Sequence, residues 1–104
     1  MANPHRGEVA VVLDGQRHIA RLTLGALAEL EQDLAQDSMI ALIERFGSGR
    51  FRSRDVLAVL VAGLRGGGWQ GGADDLLTVE IGGGAAGAAR AAAELLARAF
   101  RGGS

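Results

Sequence analysis

The sequence predicts an α+β domain: an N-terminal β-hairpin followed by four or five short helices, mostly helical overall. Three observations carry that prediction. Glu8 to Leu22, EVAVVLDGQRHIARL, is apolar and β-branched on both sides of an Asp-Gly pair. Further along, apolar side chains recur at helical spacing in one segment after another. Glycine clusters separate those segments.

Asp14-Gly15 is the dipeptide that tolerates the positive φ angles of a tight hairpin turn. A two-residue turn pairs Leu13 with Gln16, Val11 with His18, Val9 with Ala20 and Glu8 with Arg21. Because side chains alternate along a strand, Val9, Val11, Leu13, Ala20 and Leu22 then share one face, with the Glu8 and Arg21 charges on the other. His18 is expected at the edge of the apolar face. Two strands alone are marginally stable, so the hairpin must pack on the helices or on another subunit.

Thr23 is placed to cap a helix over LGALAELEQDLA, with Leu24, Leu27, Leu30 and Leu34 on one side. Glu29, Gln32, Asp33 and Gln36 take the other side. Ser38 caps a short helix from Met39 to Phe46, whose Met39, Leu42, Ile43 and Phe46 stand at i, i+3, i+4 and i+7, and Gly47 ends it. After the linker GSGRFR, Ser53 is the next N-cap, and Asp55 sits against the positive end of the helix dipole. That helix runs to about Arg65. Its Val56, Leu57, Val59, Leu60, Val61 and Leu64 cover more than half the circumference, which makes it the central, most buried helix.

Gly66 to Gly72 stop the central helix. A short helix starting at Asp74 or Asp75 through LLTVEI competes with a strand, which Thr78, Val79 and Ile81 suit equally well. The last helix, AAGAARAAAELLARAF, carries a stripe of Ala92, Leu95, Leu96, Ala99 and Phe100, and an i, i+4 charge ladder of Arg90, Glu94 and Arg98.

With 104 residues, 48% of them hydrophobic, the chain fits one domain spanning 1–104. Eleven basic residues against twelve acidic ones leave a net charge of −1, which disfavours generic attraction to nucleic acid or an anionic membrane. Every basic residue is arginine, so there is no Walker or Schiff-base lysine. Without cysteine there is no thiol nucleophile, disulfide or thiolate metal site. MANPHRGEVAVV lacks the apolar run of a signal peptide, and nowhere do about 18 apolar residues run together as a span requires. The expectation is a soluble, cytoplasmic protein.

GLRGGGWQGGADD, Gly63 to Asp75, invites comparison with a phosphate loop, but no lysine follows and Asp74 and Asp75 put negative charge where the anion would sit. IGGGAAGAAR opens a helix and holds Arg90, yet it lacks the G-x-G-x-x-G loop of a nucleotide site. What remains of the first stretch is a flexible joint carrying Trp69, read either as an anchor folded onto the core or as an exposed hot spot for a partner. GRFRSR interleaves Arg50, Arg52 and Arg54 with Phe51; a solvated connector with Phe51 tucked inward is favoured over a base-stacking grip. His5 and His18 are too few for a metal site, and Ser48 in FGSGR is no nucleophile elbow. No catalytic, cofactor-binding or metal-binding residue is expected, and the domain is expected to act by binding.

Three segments carry a family resemblance: ANPHRGEVAVVLDGQRHIARLTLGALAELEQDL, RFRSRDVLAVLVAGLRGGG and AAELLARAF. In that order they resemble a family of small proteins from the tail-gene clusters of gene transfer agents, the phage-like particles of alphaproteobacteria. LTLGALAELE after the Asp-Gly hairpin is the most specific piece. The resemblance implies a tail assembly chaperone, non-catalytic, that binds the tape measure protein during tail morphogenesis, with the tail tube protein as a second candidate partner. Family labels also include tail tube protein, so a structural tail component is the alternative. Size favours the chaperone, since a tube subunit needs a substantial β-sandwich to close a ring. Ile40, outside the stripe of its helix, Phe51 and Trp69 are the expected partner contacts. A small regulatory domain binding nucleic acid through Arg50, Arg52 and Arg54 is a further alternative. The exposed hairpin edge leaves self-association open.

Overall fold

A computed structural model of the chain describes residues 2–34 and 38–100. After a 3-10 turn at Pro4–Arg6, strands β1 (Glu8–Leu13) and β2 (Gln16–Arg21) form an antiparallel hairpin. Five helices follow: α1 (Leu24–Leu34), α2 (Met39–Ser48), α3 (Ser53–Gly66), α4 (Ala73–Leu76) and α5 (Gly84–Phe100). Asp14 and Gly15 take φ of 49° and 81°, the left-handed pair that a two-residue hairpin turn demands. The register is the expected one, from Glu8 opposite Arg21 to Leu13 opposite Gln16. Val9, Val11, Leu13, Ala20 and Leu22 are all buried, and His18 is half-buried beside them.

α3 is the central helix, packed against β2, α1 and α5, with Val59, Leu60 and Leu64 essentially fully buried. The α5 guanidinium of Arg98 donates to the Glu8 carbonyl on β1 and pairs with Glu94 at 3.1 Å, so the far end of the chain is tied to the hairpin. The hairpin's apolar face is thus covered within one chain.

Caps explain where most helices begin. The Ala26 amide donates to Thr23 Oγ1 at 3.1 Å, and the Ala41 amide to Ser38 Oγ at 3.0 Å. α3 differs from expectation: Ser53 is its first helical residue, and the cap comes from inside the helix, where Asp55 accepts the Arg52 amide at 2.8 Å. α2 also departs, running through Gly47 to Ser48. Gly47 keeps right-handed backbone, and the helix stops only where Gly49 reaches φ 77°. Of the polar face assigned to α1, Glu29, Gln32 and Asp33 are exposed, whereas Gln36 lies outside the described residues.

Two apolar assignments are corrected. Leu24 is 85% exposed, because the buried stripe of α1 is centred on Ala26 and Leu30 and the first turn overhangs it. Phe100 is 48% exposed, since the inward face of α5 is Ala88, Ala91, Ala92, Leu95 and Leu96. The helix-or-strand alternative after the glycines resolves into less than either: the helix ends at Leu76, and only an isolated bridge at Ile81 represents a strand. α4 is a single turn capped by Asp75, which accepts the Gly72 amide at 2.8 Å. Ile81 then bridges Leu13, while Asp14 and Glu80 exchange hydrogen bonds of 2.8 and 2.9 Å.

The end of α3 is not the expected flexible joint. A Cβ on Gly66 would lie 2.0 Å from the Arg21 carbonyl oxygen, and one on Gly67 would lie 1.8 Å from that of Ile19. Glycine is needed there because helix backbone presses directly on strand backbone.

Candidate functional site

The stretch from α2 into α3 is held by a partly buried ion pair. Arg45 donates from Nε to Asp55 Oδ2 at 3.0 Å and from a terminal nitrogen to Oδ1 at 2.9 Å, the two-pronged geometry suited to guanidinium and carboxylate. Asp55 is 5% exposed. Burial pushes its carboxyl up, but the Arg45 hydrogen bond, the Arg52 amide and the charges of Arg45 and Arg52 together outweigh it, leaving the group below the usual aspartate value. Sequence reasoning placed Asp55 at the helix dipole and missed Arg45, whose partner lies ten residues away across a turn.

On the outer side of that clamp, Phe46 and Phe51 stack at a centroid distance of 4.8 Å with their planes 5° apart. The stack pulls the connector onto α2, with Phe51 half-buried as expected and Arg50, Arg52 and Arg54 exposed around it. Among the described residues, no carboxylate forms a salt bridge with any of these three arginines.

Phe46 also lines an apolar cleft of about 300 Å³ between α2 and α5. Ile43 and Gly47 complete the α2 wall, and Ala93, Leu96, Ala97 and Phe100 form the other. On α5 these four positions repeat at i, i+3, i+4 and i+7, a second apolar stripe beside the inward one. Ile40, 70% exposed, stands three residues before Ile43 and seven before Gly47, so it extends the α2 wall by one turn. The spacing of Ala93, Leu96, Ala97 and Phe100 was available in the sequence. It was hidden because alanine is a weak marker of a helix face.

Trp69 belongs to a different place. It is half-buried against the core, with its ring laid over Gly71, where a Cβ would come within 2.2 Å of the indole. Together with Leu13, Asp14, His18, Asp74 and Asp75 it lines an open cleft beside the hairpin turn, which shares no residue with the α2–α5 groove. Arg65 braces this loop, reaching the Gly71 carbonyl at 3.1 Å and Glu29 at 3.2 Å. The structure therefore sets Phe51 against Phe46 and leaves Ile40 exposed on α2, with Trp69 at a separate cleft.

Among the described residues, no cluster of His, Asp or Glu is arranged to hold a metal ion, and no helix is long and apolar enough to cross a membrane. No match was found among curated proteins or among solved structures. A family model does match, over residues 6–102, nearly the whole chain, and its description is "Phage tail tube protein, GTA-gp10". The chain belongs to that family of phage and gene transfer agent tail proteins.

Proposed function

We propose that the chain is a tail assembly chaperone, a non-catalytic protein that binds the tape measure protein in the cytoplasm while the tail is built. The observation that supports this reading is the open apolar groove between α2 and α5, in a chain whose described residues form one two-stranded sheet. A tube subunit closes a ring through extensive β-structure, which this sheet does not supply. A tape measure protein, by contrast, is a long helical chain with apolar stripes that aggregate if left uncovered. A groove walled by two helices is the kind of surface that receives such a stripe.

The test is the content of purified particles. A chaperone departs during assembly and is absent from intact particles, although it co-purifies with the tape measure protein from producing cells. The second reading, a structural tail component, is favoured by the family's description as a tail tube protein. It predicts stoichiometric amounts of the chain in particles by mass spectrometry.

A further inference from the structure

We propose that the α2–α5 groove selects an amphipathic helix of a partner protein whose apolar stripe ends in acidic residues, and that Arg50, Arg52 and Arg54 read that acidic end. The proposal rests on the chaperone reading for its biological partner and on three features of the structure for its chemistry. First, every residue lining the groove is apolar, and the α5 wall has the helical repeat that meshes with a second helix. A volume of about 300 Å³ admits a few aliphatic side chains, such as those spaced one turn apart on a docked helix, and not a folded domain.

Second, the Phe46–Phe51 stack fastens the arginine-bearing connector to the groove, because Phe46 is a member of both. Three exposed guanidinia follow Gly47 within seven residues, at the end of the α2 wall opposite Ile40. Third, Arg45, the arginine nearest them in sequence, is consumed by Asp55, while the other three form no salt bridge among the described residues. Arg50 and Arg54 therefore offer their positive charge to a partner, and Arg52, exposed beside them, shares its field with Asp55. The groove is apolar along its length with a basic terminus, and its complement is an apolar stripe with an acidic terminus. Orientation follows from the same asymmetry: the acidic end of the partner lies beside Phe51, not beside Ile40.

The experiment uses the full chain and two synthetic amphipathic helical peptides with one Leu/Ala stripe, ending in three glutamates or in three lysines at the same positions. Binding is measured by calorimetry at low and moderate salt. Three exposed charge pairs predict that the glutamate peptide binds about tenfold more tightly at low salt, with the advantage shrinking as salt rises. Arg50→Glu with Arg54→Glu reverses the preference, and Ala97→Glu, on an exposed position of the groove wall, removes binding of both peptides. Equal affinities at low salt, or binding that survives Ala97→Glu, would overturn the proposal. So would absence of peptide binding together with a dimer that Ala97→Glu dissociates, since a second copy would then be the occupant. The chaperone reading fails separately, if particles contain the chain in stoichiometric amounts whatever the peptides do.

Discussion

At the end of α3, Gly66 and Gly67 lie so close to the carbonyls of Arg21 and Ile19 that no side chain fits between them. Between α2 and α5, a cleft of about 300 Å³ stays open, walled by Phe46, Leu96 and Phe100. Both regions are built from small and apolar residues. They differ in what faces them: at α3 the strand of the same chain completes the contact, whereas among the described residues the second stripe of α5 faces α2 across an open cleft. The contrast separates glycine used for close approach from alanine used to leave room.

The sharpest break of this contrast is at the closed end. Gly67→Val is expected to cost about 3 kcal/mol or more in chemical denaturation, because helix and strand would have to separate. Gly72→Ala, with no atom within 4 Å of the added Cβ, serves as the control and should stay within about 0.5 kcal/mol. If both variants were equally stable, the end of α3 would be the loose joint that glycine content alone suggests.

Asp55→Ala comes next, at about 2 kcal/mol, since it removes both hydrogen bonds from Arg45 and the α3 cap together. The same residue gives a pH dependence. Its carboxyl is held below the usual aspartate value, so the stability it contributes is complete above that value and is lost as pH falls through the lowered one. Denaturation midpoints should therefore drop for the wild-type chain in acid, below the usual carboxylate range, and drop less for Asp55→Asn. Parallel curves for the two proteins would contradict that role.

Trp69→Ala is expected to cost about 1.5 kcal/mol, in keeping with a half-buried ring resting on Gly71. It should leave peptide binding at the groove unchanged, because the two clefts share no lining residue. Loss of binding in this variant would join the two regions that the structure keeps apart.

Much of this architecture was legible in the sequence, for local reasons. Asp14-Gly15 set the turn and with it every pair of the hairpin; Thr23 and Ser38 announced their helices through side-chain caps. What escaped was decided by distant contacts. Leu24 and Phe100 sit at correct periodicity yet beyond the reach of the core. Arg45 and Asp55 look like ordinary surface charges until α2 and α3 are folded together. Of the expected partner contacts, none lines the groove itself: Phe51 stacks on its wall residue Phe46, Ile40 is exposed on α2 one turn before Ile43, and Trp69 lines another cleft. The alanine stripe of α5 was readable by spacing but indistinguishable from simple helix-favouring composition.

The smallest effect on stability is expected for Ile40→Asp and Ala97→Glu, within about 0.5 kcal/mol, since both positions are exposed. Their effect on binding should be the largest of all. The central claim, that the open face between α2 and α5 is where this tail protein holds its partner, is tested most directly by co-purification of the tape measure protein from particle-producing cells. The wild-type chain and Trp69→Ala should retain it, and Ala97→Glu should lose it while remaining folded. Retention by Ala97→Glu at the wild-type level would contradict the claim.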